Sequence, residues 1–331
     1  MQKLLTIVVP VYNTEKYLPK CLDSLIVPEY LDQLEVLVII DGSPDNSAAV
    51  AKQYQQQYPS TFIVIEKENG GHGSTINKGL SLATGKYFRV LDSDDWFDEA
   101  NFKLFLDRLS TADEDIVMTH VVREYTSEGK SLLWKDPDFD EMYEVIHKDC
   151  GVFSKLDHAF FTMARCTYKT QLLSKHHLTL LERQSFEDTF LHIFPIPYVS
   201  SFIFYDLPLY HYYLERPGQS VGQHFTIKHW QDWCNLVKQM IAFYNVQKPL
   251  LPTRHDYILK IIKSYANNLY VMATVLPYQE GKQVLYSLHK HLKTKDIYKD
   301  ILGLKMRCYT ILPYWCYKYG YIWYTKLRSK F

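Results

Sequence analysis

"YFRVLDSDDWFDE", residues 87–99, opens as a short buried strand and ends in a crowd of acid. Asp92, Asp94 and Asp95 stand almost side by side at its end. Like charges this close repel, so a chain that keeps them gives them a cation or a hydrogen-bonding role. A D-x-D on an extended segment aims two carboxylates at one point, because alternate residues face the same way. Hard cations such as Mg2+ or Mn2+ take few protein carboxylates and complete their shell with water and phosphate oxygens, which makes a nucleotide diphosphate the natural partner. The plainer alternative is a solvated loop in which Asp98 and Glu99 charge the first turn of a helix.

Outward from this stretch, apolar runs alternate with helical patterns. "LLTIVVPVY" (4–12) reads as a central strand, "TEKYLPKCLDSLI" (14–26) as a helix with Leu18, Leu22 and Leu25 on one face. "EVLVII" (35–40) is the next strand, "DNSAAVAKQYQQQY" (45–58) the next helix, and "FIVIEK" (62–67) a third strand. A further helix, expected to end at Gly85, leads into the strand at 87–91. This repetition predicts an α/β fold whose mostly parallel sheet is covered on both faces. Ligands of such sheets gather at the carboxyl ends of the strands. Tyr12-Asn13, Asp41-Gly42-Ser43, Asn69-Gly70-Gly71-His72-Gly73 and Asp92-Ser93-Asp94-Asp95 all follow strands, hence lie on one rim. Past about residue 134 the pattern weakens, and 225–305 reads as mainly helical, so the expected division is 1–224 and 225–331.

The 331 residues are 47% hydrophobic and carry equal numbers of basic and acidic side chains, which gives no argument for a nucleic-acid partner. Cys21, Cys150, Cys166, Cys234, Cys308 and Cys316 are scattered without a CxxC pair and read as buried reduced thiols of a cytosolic protein. No secretory signal is read at Met1, and no stretch reads as a membrane span.

Several clusters have two readings. "DGSPDNS" (41–47) is a turn ending in a helix cap, or it lets Asp41 accept from an imide N–H of a base on which Tyr12 stacks. "NGGHGSTINKG" (69–79) is a Gly-rich loop running into a helix, without a Walker or GxGxxG pattern. In "SFEDTFL" (185–191), Glu187 and Asp188 lie between Phe186 and Phe190, an apolar setting that raises a carboxylate toward a useful base; the alternative is a surface pair at a helix start. In "YHYYLERPGQS" (210–220), Arg216 and Ser220 suit a diphosphate leaving group, while His211 is either a structural histidine or a metal ligand.

Taken together, "VVPVYNTEKYLPKCLDSL", "DGSPDNS", "NGGHGSTINKGLSLATGKYFRVLDSDD" and "FEDTF" resemble the successive motifs of family 2 glycosyltransferases with the GT-A fold, across about residues 4–220. The resemblance implies a Rossmann-like sheet with a C-terminal helical region, and an inverting transfer of one sugar from a UDP-sugar to an acceptor hydroxyl. It puts Pro10, Tyr12, Asn13 and Asp41 at the uridine, and Asn69, Gly70, Asn77, Asp92, Ser93, Arg216 and Ser220 around the rest of the nucleotide sugar. It makes Asp94 and Asp92, with His211 as a third candidate, the ligands of Mn2+ or Mg2+. It makes Asp188 the base, with Glu187 beside it. Ile40-Asp41 replaces the doubled aspartate of many members, and Ile76 stands where an arginine often precedes the asparagine. Without Q-x-x-R-W or multiple spans, single-residue addition is expected rather than processive synthesis. The acceptor implied is a lipid-linked or cell-surface bacterial glycan. The tail 305–331 interleaves Lys and Arg with Tyr and Trp, which suits peripheral contact with the inner face of the membrane, a packed terminal helix or a homodimer contact. The competing reading within the same fold is a catalytically silent nucleotide-sugar-binding scaffold subunit. A nucleotidyltransferase lacks its basic Gly-rich N-terminal loop here, and "PVYNTE" lacks the glycines of a nicotinamide site.

Overall fold

The computed structural model describes residues 3–125, 127–134, 140–148, 152–153, 155–156, 160–216, 219, 223–247, 251–293, 314 and 318. Continuous apolar runs make strands that are covered on both faces. β1 (Leu5–Val11) and β2 (Leu34–Asp41) are accordingly buried at every position. With β3 (Phe62–Lys67) and β4 (Tyr87–Val90) they pair in parallel in the order β3-β2-β1-β4. Alternation then sorts the side chains. Leu5, Ile7, Val9 and Val11 share a core with Leu18 and Leu22 of α1 (Leu18–Asp23), Ala51 of α2 (Ser47–Gln57) and Phe102, Phe105 and Leu109 of α4 (Glu99–Leu109). The opposite face is covered by α3 (His72–Leu82), whose Gly79 lies so close to β1 that an added Cβ would meet Val8 at 2.3 Å.

Two local expectations are corrected. The helix expected over 14–26 is only Leu18–Asp23, because Pro19 lacks an N–H and fits only the first turn of a helix. The residues before it form a turn in which Tyr17 N–H donates to the Thr14 carbonyl (2.9 Å). The helix expected to stop at Gly85 ends at Leu82. Gly85 instead packs against β1. A Cβ there would stand 2.5 Å from the Thr6 backbone nitrogen, and its N–H donates to the Thr6 hydroxyl (2.9 Å).

The sheet continues past β4 through β9 (Cys166–Lys169), β6 (Ile116–Tyr125), β10 (Phe202–Leu214) and β5 (Trp96–Phe97), with β7 (Lys130–Trp134) beside β6 and β8 (Ile146–His147) beside β10. The long strands β6 and β10 pair in parallel, and the antiparallel partners are the short ones. A buried arginine crosses this junction. Arg89 of β4 donates to the hydroxyls of Thr167 (2.9 Å) and Thr119 (3.1 Å) and to the Ala164 carbonyl (2.7 Å). The rings of Phe97 and Phe105 lie 5.0 and 5.5 Å from its guanidinium. Hydrogen bonds and ring faces thus replace the water that the charge loses on burial.

The chain forms two compact units, Met1–Asp149 with Phe161–Gln219, and Cys150–Phe160 with Ser220–Phe331. The first holds all ten strands and α1 to α4 as well as α5 (Thr170–Ser174). The second holds α6 (Gln223–Lys228), α7 (Trp230–Val246), α8 (Pro252–Val275) and α9 (Tyr278–Lys293). Its core includes Val237, Ile241, Ile258, Ile261 and Leu269, with Phe153 packed on Tyr257 at 5.6 Å between ring centres. No helix among the described residues is long and apolar enough to cross a membrane. Cys21, Cys166 and Cys234 are buried free thiols, whereas Cys150, Cys308 and Cys316 lie outside the described residues. So does the tail 305–331, apart from Tyr314 and Lys318. Both of these donate to the last turn of α8, at the carbonyls of Ala273 and Leu276.

Candidate functional site

Each aspartate at the end of β4 has a partner of its own. The strand stops at Val90, and Asp92 to Asp95 form a turn closed by Asp95 N–H to the Asp92 carbonyl (2.9 Å), so a turn rather than strand alternation brings the carboxylates together. Asp92 Oδ1 faces His72 Nε2 at 2.9 Å, and Asp94 Oδ2 accepts from Arg216 Nε. Burial and the Asp92 charge raise Asp94 above the usual carboxylate range, and the guanidinium opposes that rise. Asp95 is buried and accepts from the Tyr210 hydroxyl (2.6 Å) and from Tyr213 N–H (2.8 Å), which ties β10 to the turn. Ser93 is buried too, its hydroxyl accepting from that of Thr14 at 2.9 Å.

At the neighbouring strand ends, Pro10 is buried inside β1, while the Tyr12 ring is 54% exposed, free to stack on a flat ligand. Asn13 adopts φ 54°, and its N–H donates to the Ser43 hydroxyl (2.8 Å). Asp41 is held by the Gly-rich loop. It is 2% exposed, and its carboxylate accepts from Gly70 N–H (2.9 Å), Gly71 N–H (2.8 Å) and Lys67 Nζ (2.5 Å). Asn69 adds a bond from its amide to the Asp41 carbonyl (2.9 Å). Asp41 therefore anchors the Gly-rich loop. Asn77 is likewise engaged within the protein: its amide exchanges bonds of 2.9 and 3.0 Å with the Leu180 backbone and donates to Glu182 at 3.1 Å.

That clamp draws the acidic turn to the same rim. Arg183 N–H donates to the Gly70 carbonyl (2.7 Å), and a 3-10 helix, Glu187–His192, follows Phe186 at φ 68°. A bulky residue keeps such a backbone only where its surroundings hold it. Gly73 of α3 is pressed against this segment, since a Cβ there would meet the Leu181 carbonyl at 2.2 Å. The acidic pair is unequal. Glu187, expected beside the base, is 3% exposed, with Oε1 at 2.7 Å from His72 Nδ1. Asp188 is less buried; burial first, then the Glu187 charge, pushes it up to about 7. A carboxylate ionising there is a general base near neutrality.

His211 Nδ1 lies 2.7 Å from Glu124 Oε1, which accepts from it, and its ring stacks on Trp96 at 5.3 Å. Those contacts tie β10 to β5 and β6. Ser220 lies outside the described residues. Reading the sequence did not single out His72, Lys67 or Glu182; only His72, a histidine inside a glycine run at a strand end, carried a local signal.

Among the described residues, no three or more His, Cys, Asp or Glu side chains converge as metal ligands. Asp92 and Asp94 nevertheless fit Mg2+ or Mn2+, because such ions need only one or two carboxylates when phosphate and water complete the shell. In the structure Asp94 meets the Arg216 guanidinium and Asp92 the His72 ring.

A mostly parallel sheet with an acidic turn and a Gly-rich loop on one rim is the GT-A fold. The chain belongs to glycosyl transferase family 2, whose profile matches residues 6–189. It is 32% identical over 243 residues to an uncharacterised glycosyltransferase of Mycoplasma pneumoniae, covering 72% of this chain and 77% of that one. Among solved structures, residues 1–349 of TarS from S. aureus in complex with UDP-GlcNAc match with a TM-score of 0.63 at 17% identity, over 88% of this chain and 81% of that chain. The mannosyltransferase PcManGT from Pyrobaculum calidifontis, in complex with GDP-Man and Mn2+, matches with a TM-score of 0.55 at 17% identity, over 94% and 86%. At these identities the likeness is one of fold.

Proposed function

We propose that this glycosyltransferase moves one sugar from a UDP-sugar to an acceptor hydroxyl with inversion at the anomeric carbon. The observation that carries the reading is Asp188, a carboxylate raised to about 7 on a segment stapled to the Gly-rich loop. Tyr12, Pro10, Asn13 and the 69–71 loop receive the nucleoside, and Arg216 supports the diphosphate. Asp94 and Asp92 would hold Mg2+ or Mn2+, which when bound would offset the charge of the departing UDP. Asp188 takes the acceptor proton, and the acceptor oxygen attacks from the face opposite UDP. The acceptor is a lipid-linked or cell-surface glycan met at the cytoplasmic face of the membrane, a reading supported by the basic and aromatic composition of 305–331.

Thermal melting with UDP, GDP, CDP and NAD, each in Mn2+ and in EDTA, tests the donor side. UDP at a hundredfold its Kd adds about 2.7 kcal/mol. At about 2–4 °C per kcal/mol for a domain of this size, the midpoint rises by several degrees. A rise with UDP that EDTA removes is expected; no rise with any nucleotide would sink the donor reading.

The base has its own signature. Asp188 must be ionised to act, so kcat/KM is expected to fall tenfold per pH unit below about 7. The sign for stability is opposite. Between the ordinary carboxylate range and about 7 the folded state holds the proton that the unfolded chain has lost, so this group lowers stability as pH rises across that window. A pH–rate profile flat down to pH 5 would remove Asp188 as base.

A further inference from the structure

We propose that His72 is a positioning residue of the transfer reaction: its ring bridges Asp92 and Glu187 and so holds the turn bearing Asp188 in register with the D-x-D turn. The inference rests on the glycosyltransferase reading above. Both ring nitrogens face carboxylates, Nδ1 at 2.7 Å from Glu187 Oε1 and Nε2 at 2.9 Å from Asp92 Oδ1. Each ring nitrogen thus meets a carboxylate of a different segment, which makes the ring a bridge between them. Charge-assisted bonds of this length are among the stronger side-chain contacts and are directional. The two carboxylates belong to segments far apart in sequence, the turn after β4 and the 3-10 helix Glu187–His192. His72 is the first residue of α3, set there by Gly71 at φ 83°, and Gly73 lets that helix end press on the acidic segment, where a Cβ would meet Glu187 Cγ at 2.7 Å.

The bridge fixes Glu187, and the peptide bond between Glu187 and Asp188 carries that order to the base. Asn77 and the Gly70 carbonyl secure residues 180–183. His72 secures the acidic pair itself. Without it, Phe186 in its left-handed conformation leaves the turn free to relax, and a misplacement of about 1 Å at a reacting group costs about 10²-fold in rate.

The test follows UDP release by the full chain in Mg2+, with whichever of UDP-glucose, UDP-galactose and UDP-GlcNAc the wild-type protein turns over. His72→Ala is expected to lose about 10²-fold in kcat, while UDP affinity stays within about threefold, a change under 1 kcal/mol. Added imidazole, which offers two N–H groups when protonated, is expected to restore much of the loss. 1-Methylimidazole, with a single N–H, is expected not to. His72→Gln, which keeps bulk and one donor group, serves where the alanine variant melts early, and must show the same fall in kcat with UDP binding intact. Equal rescue by both imidazoles, or unchanged kcat with a lowered melting point, marks a space-filling residue and overturns the proposal. A wild-type protein that releases no UDP from any donor overturns the glycosyltransferase reading instead, and the inference with it.

Discussion

Asp188→Asn is expected to lower kcat by about 10³-fold while leaving UDP binding unchanged, the central value for loss of a general base. The substitution keeps the shape of the side chain and removes only its ability to accept a proton as a base. Its partners argue that the effect is chemical rather than structural: Asp188 lies on the more open side of the acidic pair, whereas Glu187 carries the bond to His72. Removing the charge also relieves the repulsion from Glu187 that, after burial, raises Asp188. Turnover measured with saturating donor, beside UDP-dependent melting, separates the two readings of this fold. An enzyme loses turnover and keeps the UDP shift. A silent nucleotide-sugar-binding subunit has no turnover to lose, and an Asp188→Asn variant as active as the wild-type protein would refute the assigned base.

Asp94→Asn is expected to abolish the Mn2+-dependent part of the UDP melting shift and to slow transfer by about 10²- to 10³-fold, as for loss of a main electrostatic contact to the leaving group. Burial and the Asp92 charge raise Asp94, and in the protein alone Arg216 answers its charge. An amide oxygen carries no charge and holds a divalent cation more weakly than a carboxylate, and the variant leaves Arg216 without its counter-ion. Metal binding followed by electron paramagnetic resonance of Mn2+ in the presence of UDP reads the loss directly. Retention of metal-dependent UDP binding in the variant would move the metal site away from Asp94. The third aspartate provides no second route, because Asp95 is closed off by Tyr210 and Tyr213.

The sequence is a good guide wherever the physics is local. Runs such as Leu5–Val11 and Leu34–Asp41 announce buried parallel strands by composition alone, and alternation puts Asp41 on the α3 face. The rim was legible for the same reason, since polar clusters that end parallel strands share an edge whatever else the chain does. The other half, where β6 and β10 pair in parallel among short antiparallel neighbours, was not, because β9 and β5 are too short to show a period and take their places from neighbours.

Spacing and residue type, then, determined the sheet, the family motifs and the identity of the acidic clusters. Only the folded chain decided which partner each carboxylate meets. His72 and Glu187 are 115 positions apart, Asp95 and Tyr210 115, and Asp94 and Arg216 122. Pairings at that separation depend on how strands and loops pack rather than on any local pattern. They give Asp41 and Asn77 partners within the protein, set Glu187 on His72 beside the more open Asp188, and join to the site a histidine that only its glycine run had marked. A short polar side chain has a few fixed lone pairs and donors, and the tertiary structure determines what meets them.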